Sequence, residues 1–269
     1  MHLHNSESPL ERQWALQTRS QTMSAYLDEI GFLGPNVSCG HGVWYSDDDI
    51  KLLVATGVVT VHNPASNLRL GNGIAPVAAY LDAGMTVALG TDGQGLTERS
   101  KFLDELRLAA YLQRTPNAVH PAHDPWTRGI PARTVFEMAT VNGAKAFQRE
   151  KIGRLQPGYR ADLTLINAKR MSMPYLWPGH DPYAMVIQKA EPEHIEMVIS
   201  RGKTLLDGGK IITVDEEQVT RKLQAHYEAI WKKQDGKRMA LAKELEPFLI
   251  KFFKPWLEEP TKYSTPARW

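Results

Sequence analysis

Five residues among the first 92 carry side chains whose types and spacing could bind a cation or move a proton: His4, Glu7, His41, His62 and Asp92. His2-Leu3-His4 has the alternation with which a strand turns two imidazoles to one side, a familiar grip on a metal. His4-Asn5-Ser6-Glu7 offers another pairing, in which a short turn folds a carboxylate back toward the same imidazole. A hydrolytic metal site needs lone-pair donors on rigid strand ends, a position open to water, and a proton shuttle beside it. His4 and Asp92 suit the ligand role and Glu7 the shuttle, while His41 suits a group that orients the water or the developing oxyanion. Plainer roles also exist. Asp92 in Gly90-Thr91-Asp92-Gly93 serves as a turn residue, and His62 before Asn63-Pro64 as a hydrogen-bonding strand terminator. His120, His123, His180, His194 and His226 read as surface or structural.

The elements that must position these groups alternate over residues 1–150. Apolar runs ending in polar residues read as strands: Val37 to His41, Val58 to His62, and Thr86 to Asp92. Between them lie helical patterns. Ser8-Pro9-Leu10-Glu11 reads as a capping box that opens a helix toward Ile30, and Ser46 to Ala55 as a helix begun by three aspartates. Ile74 to Ala83 is a helix closed by Gly84, followed by helices over Phe102 to Gln113 and Pro131 to Ala139. Strand alternating with helix implies parallel strands and right-handed crossovers, a fold whose active residues gather at the C-terminal strand ends. His4, His41, His62 and Asp92 all fall there.

From residue 151 the pattern changes. Asp162 to Ile166, Met197 to Ile199 and Lys203 to Leu206 read as short strands, with Asp207-Gly208-Gly209 as a hairpin turn. A helix over Asp215 to Lys233 carries Val219, Leu223, Tyr227 and Ile230 on one face, and a separate helix follows from Gln234. The expected units are therefore 1–150, 151–214 and a helical extension over 215–269. The 269 residues suffice for a sizeable core, and 32 basic residues against 30 acidic give a net charge of +2. That balance excludes a nucleic-acid or membrane surface as the main partner. A single cysteine, Cys39, excludes an intrachain disulfide. With no bilayer-length apolar run and no signal-peptide pattern at the N-terminus, the expectation is a cytoplasmic protein.

Val61-His62-Asn63-Pro64-Ala65-Ser66-Asn67-Leu68-Arg69-Leu70-Gly71-Asn72-Gly73, followed by Ala88-Leu89-Gly90-Thr91-Asp92-Gly93, resembles the amidohydrolase superfamily. Within it the chain is most similar to the aminohydrolases and chlorohydrolases that act on heterocyclic rings. Asp104 to Ala110, Ala139 to Ala144 and Ile152-Gly153 through Ala161-Asp162-Leu163 follow in the same order. The resemblance covers residues 1 to about 215. It implies a metal-dependent-hydrolase (β/α)8 barrel, here strands five to eight, with part of a small composite β-sandwich. His4 then matches the metal-binding histidine of strand five, Glu7 the glutamate of His-x-x-Glu, and His41 the strand-six histidine, a further ligand or a contact to the water. Asp92 matches the strand-eight aspartate, which binds metal and takes a proton. His62 and Asn67 help to shape the substrate pocket, whose other edges are Trp44 and the segment after Asp92, Gln94 to Glu98. The cofactor implied is one divalent metal, zinc first, with iron or manganese as alternatives. The reaction implied is hydrolytic deamination, or dechlorination, of a small heterocycle.

The family's other His-x-His, at the end of strand one, has no counterpart here. His2-Leu3-His4 has its spacing, but it stands directly before the strand-five Glu7. The chain thus reads as a C-terminal half. The second expectation is a fragment that is non-catalytic alone, completed by an N-terminal half or by a homo-oligomer.

Overall fold

Four short strands pair side by side in chain order: β1 (His2–Asn5), β2 (Ser38–His41), β3 (Val59–His62) and β4 (Thr86–Leu89). All three pairings are parallel, with Asn5 level with His41 and His62 level with Leu89. The computed structural model describes residues 1–93, 101–114, 129–175 and 179–258. Gln94 to Glu98, His120 and His123 lie outside the described residues.

The connections are helical. They comprise α1 (Pro9–Arg19) and α2 (Met23–Glu29), α3 (Asp47–Thr56), then α4 (Pro64–Arg69) and α5 (Val77–Asp82). After β4 come α6 (Phe102–Leu112), α7 (Ala132–Ala139) and α8 (Val141–Ala146). The start of α3 follows from chemistry: the Ser46 hydroxyl accepts from the Asp49 N–H, and the Asp49 carboxylate accepts from the Ser46 N–H. Its end follows from Gly57, which takes the left-handed conformation at φ 73°. Cys39, Leu53, Tyr80, Val87, Ala109, Val135 and Met138 are fully enclosed where these helices meet the sheet.

Three element expectations need correction. The helix from Ser8 does not run to Ile30. It stops at Arg19 because Ser20 adopts φ 58°, and the Thr22 side chain caps a new helix by accepting from the Ala25 N–H. Ser8 does cap α1, but the Glu11 carboxylate bonds the N–H groups of Ser6 and Glu7 at 2.9 and 2.8 Å instead of closing a capping box on Ser8. The helix expected from Ile74 begins at Val77, because Pro76 occupies its N-cap.

A second sheet is antiparallel, in the order β5 (Leu163–Ile166), β6 (Ile195–Ser200), β7 (Lys203–Asp207) and β8 (Lys210–Ile211). Gly208 and Gly209 make the β7–β8 turn at φ 55° and 77°. Between β5 and β6 lie α9 (Ala168–Met171) and α10 (Pro182–Lys189). Arg107 of α6 ties α10 down by donating to the carbonyls of Ile187, at 3.0 Å, and Ala190. The third correction concerns the last helix. One 43-residue helix, α11 (Glu216–Glu258), replaces the two expected, and it rests against α1. Gly236 does not break it, since an interior glycine costs a helix only about 1 kcal/mol relative to alanine. No helix among the described residues is long and apolar enough to cross a membrane.

At the end of β4, a Cβ placed on Gly90 would lie 2.4 Å from the Asn63 side-chain oxygen and 2.9 Å from a Val61 methyl. Gly90→Ala is therefore expected to lower unfolding stability by about 1–3 kcal/mol in urea titration, by forcing β3 and β4 apart at their ends.

Candidate functional site

The ends of β1, β2 and β4 turn sharply, and the turning residues belong to the site. Ser6, His41 and Asp92 all hold left-handed backbone, at φ 51°, 73° and 58°, a conformation that non-glycine residues rarely adopt. Ser6 reverses the chain so that Glu7 swings back over β1. Its Oε2 lies 3.3 Å from His4 Nδ1 and 3.6 Å from His41 Nε2. Asp92 Oδ2 stands 3.8 Å from the same Nε2. The His4 and His41 rings meet edge to face with centroids 4.6 Å apart.

His4, Glu7 and His41 form a group able to hold a metal ion, with donor atoms within 4.8 Å of one another. Asp92 stands beside this group and not within it. Glu7, expected as a shuttle only, lies inside. The buried His41 Nε2 has no hydrogen-bond partner. An imidazole nitrogen without a partner, facing two carboxylates, is a donor set that a divalent cation fits: it neutralises the carboxylates and accepts the nitrogen lone pair.

Each of these three groups has a further side-chain contact. His41 Nδ1 lies 2.8 Å from Asn67 Oδ1, the Ser66 hydroxyl donates to Asp92 Oδ2 at 2.6 Å, and Asn72 Nδ2 donates to Glu7 Oε1 at 2.9 Å. Burial pushes the Asp92 carboxyl upward. The Ser66 hydroxyl, the Gly93 N–H and the His41 and His4 imidazoles outweigh it and hold Asp92 below the usual aspartate range. Asp92 is thus an ionised carboxylate near neutral pH.

The other expected residues take different places. The Trp44 indole N–H donates to the Asn72 carbonyl at 2.8 Å, which links it to the residue that grips Glu7. His62 is buried and neither ring nitrogen has a partner; burial and the neighbouring His41 push its pKa down to about 3, so it is neutral at ordinary pH. Asn67 is also buried, and its side chain reaches His41. His2 stands apart from the ligand group, with Nδ1 2.8 Å from Ser38 Oγ. Burial, then His4 and His41, lower its pKa.

Residue-by-residue reading of the sequence missed Ser66, Asn72 and Glu105. The first two stand inside the quoted Asn63-to-Asn72 stretch, but nothing in their spacing points to partners on other strands. Glu105 is a buried α6 carboxylate that accepts from the Ala65 N–H, at the start of α4, at 3.1 Å.

Mixed α/β architecture with imidazoles and carboxylates gathered at parallel strand ends is the arrangement of an α/β enzyme. The Amidohydrolase family model matches residues 1–205, and the chain belongs to that family. The resemblance carried by Val61 to Gly73 and Ala88 to Gly93 is thereby borne out. A 5'-deoxyadenosine deaminase of Methanosphaera stadtmanae is 36% identical over 219 residues, 81% of this chain and 48% of that protein. A 5-methylthioadenosine/S-adenosylhomocysteine deaminase of Pyrococcus furiosus is 35% identical over 220 residues, 82% of this chain and 50% of its own length. The chain thus spans about half the length of the curated relatives it matches. Among solved structures, an adenosine deaminase from Xanthomonas campestris with bound zinc superposes with a TM-score of 0.77 at 27% identity, over 86% of this chain and 51% of that one. An atrazine chlorohydrolase from Arthrobacter aurescens complexed with zinc gives 0.72 at 28%, over 83% and 48%.

Burial raises the Glu105 carboxyl to about 6, with Asp104 and Asp92 adding to the effect and the Ala65 N–H opposing it. A carboxyl raised on folding binds protons more tightly in the native state, so its contribution to stability falls as pH rises from the unfolded value through about 6. Glu105→Gln is expected to flatten that dependence and to stabilise the fold at pH 7 by roughly 1–2 kcal/mol, read from urea unfolding at pH 5 and pH 7.

Proposed function

We propose that this chain forms the acid–base half of a hydrolase that removes the amino group of a small aminated heterocycle, the 6-amino group of an adenosine derivative first. The observation that carries the reading is the convergence of Glu7 Oε2 on His4 and His41, at 3.3 and 3.6 Å, with Asp92 Oδ2 3.8 Å from the same His41 nitrogen. The named activities of the relatives support the substrate class. Loss of chloride from a ring carbon would use the same groups and is the second reading, favoured by the likeness to the atrazine chlorohydrolase.

In this reading β1 to β4 are strands five to eight of a (β/α)8 barrel. Residues 1–150 are its barrel portion, 151–214 part of a β-sandwich, and 215–269 a helical extension. The two strand-one donors come from a complementing N-terminal half, or other side chains of a second copy of the chain stand in for them.

His4 and Asp92, with His41 as a further donor, would hold the divalent ion, zinc ahead of iron or manganese, which when bound lets water act as a nucleophile near neutral pH. Asp92, kept ionised by its hydrogen bonds, accepts a proton as water adds to the ring carbon. In its alternative role, as a contact to the water and not a ligand, His41 would present an Nε2–H that steadies the charge on the attacking oxygen. Glu7, gripped through Oε1 by Asn72, is left with Oε2 to carry a proton to the ring nitrogen and then to the departing amine. The carbon–oxygen bond forms, the carbon–nitrogen bond breaks, and ammonia leaves with one proton of the water while the other stays on the ring nitrogen. Trp44, His62 and Asn67 belong to the wall of the pocket.

The test is metal content and ammonia release from adenosine, guanine and cytosine derivatives. It uses the chain alone and the chain mixed with the N-terminal half of a relative. Turnover is expected in the mixed sample, and Asp92→Asn should lower it at least about 100-fold. Undiminished turnover in that variant refutes the site. A folded chain that binds no metal and turns over nothing in either sample overturns the hydrolase reading.

A further inference from the structure

The last helix stands almost bare. Among the described side chains of α11, every one except Phe253 is exposed. Its 43 residues at 1.5 Å each make a rod of roughly 64 Å. A compact body of the preceding 215 residues is only roughly 45 Å across. Long helices in proteins draw their stability chiefly from packing of an apolar face, and here that face lies open.

The apolar residues are spaced to one side. Val219, Ile230, Leu241 and Phe252 recur every eleven residues, which is three turns of about 3.67 residues. Leu223, Leu245 and Phe248 fall between them on the same face, and all of these side chains are 38–68% exposed. Each leaves on the order of 100 Å² in water, so the row offers roughly 700 Å². A stable pair of proteins buries about 800 Å² per partner, and the stems of Lys222 and Lys251 beside the row supply the difference.

α11 lies outside residues 1–205, the part shared with the amidohydrolase family, so the row is no part of that family's common core. A second copy of the chain carries the same row, matched in length and spacing from end to end. Charge sets the direction. Residues 215–230 hold four acidic and two basic side chains, whereas residues 236–254 hold five basic and two acidic. Laid antiparallel, the acidic part of each helix lies beside the basic part of the other, and the helix dipoles oppose as well. Val219 then comes level with Phe252, Leu223 with Phe248, and Ile230 with Leu241. A lipid surface fits less well, because Glu228 and Glu246 stand on the far side of the helix, where a membrane-lying helix carries lysine and arginine.

We propose that α11 pairs antiparallel with α11 of a second copy, Leu223 of each chain facing Phe248 of the other. The pairing is independent of the hydrolase reading, since it needs neither metal nor substrate.

The first test is the mass of the full chain in sedimentation equilibrium at micromolar concentration. Twice the chain mass of 30.2 kDa is expected for the wild type, and the single mass for Ile230→Asp/Leu241→Asp that still folds by near-ultraviolet circular dichroism. A wild type of any other mass overturns the proposal, and so does a folded variant that keeps the double mass. Cysteine pairing reads the direction without a disruptive substitution, and the natural Cys39 is buried. Chains carrying Leu223→Cys, mixed with chains carrying Phe248→Cys, should join by a disulfide on mild oxidation, while neither joins its own kind. In the antiparallel register two positions 223 lie about 38 Å apart, far beyond the ~7 Å between Cα atoms that a disulfide spans. Disulfides within one kind of chain, or none in the mixture, overturn the proposal. A wild type of single mass that sediments with phosphatidylcholine–phosphatidylserine vesicles, or binds the N-terminal half of a relative, gives the row to that occupant instead.

Discussion

Parallel strand pairing is the constraint on which the rest of this structure depends. Its register brings the ends of β1 to β4 to one level, with Asn5 beside His41 and His62 beside Leu89. Residues from positions 4 to 92 then share one surface without any of them needing a long reach. A one-residue slip of β2 would turn His41 to the opposite face of the sheet and separate it from Glu7 and Asn67. The enclosed side chains beneath the strands, Cys39, Leu53, Tyr80 and Val87, oppose such a slip because the same slip would expose the apolar side chain of β2. Packing of the core and alignment of the site are therefore one requirement.

Above the sheet the electrostatics are divided by depth. His62 is sealed in and neutral, and so adds no positive charge beneath the carboxylates. Asp92 is kept ionised by a hydroxyl, a backbone N–H and two imidazoles. Glu105, further back, faces the start of α4 and is raised toward neutrality by burial. Carboxyl groups lying close together in sequence or space thus titrate in different ranges because their surroundings differ.

The strand-end residues were legible in the sequence because each of these apolar runs is short and stops at a polar group, which local periodicity captures. Glu7 was legible because His-x-x-Glu is a local pattern. The bonds that fix these groups were not. Asn72 grips a carboxylate 65 residues away, and Ser66 one 26 residues away. Contacts of that kind leave no trace in spacing and follow only from the sheet register. The division of the first helix at Ser20 was hidden because Leu16 to Tyr26 holds no glycine or proline, and the left-handed residue there is a serine. The continuity of α11 was obscured because the apolar face of Val219, Leu223, Tyr227 and Ile230 gives out before Gln234, while the backbone carries the helix on.

The left-handed backbone at Ser6, His41 and Asp92 also has a bearing on how this surface can change over time. A glycine at any of the three would relax the turn, so the chain folds despite these side chains and not because of them. Drift that favours robust folding would erode the site first, and it would leave the sheet, the core and the general likeness to relatives intact. Retention of histidine and aspartate at two of these bends is then a sharper record of selection on the candidate site than overall similarity is. A descendant carrying glycine there would look like a well-preserved member of the family while having lost the imidazole and the carboxylate of the candidate site.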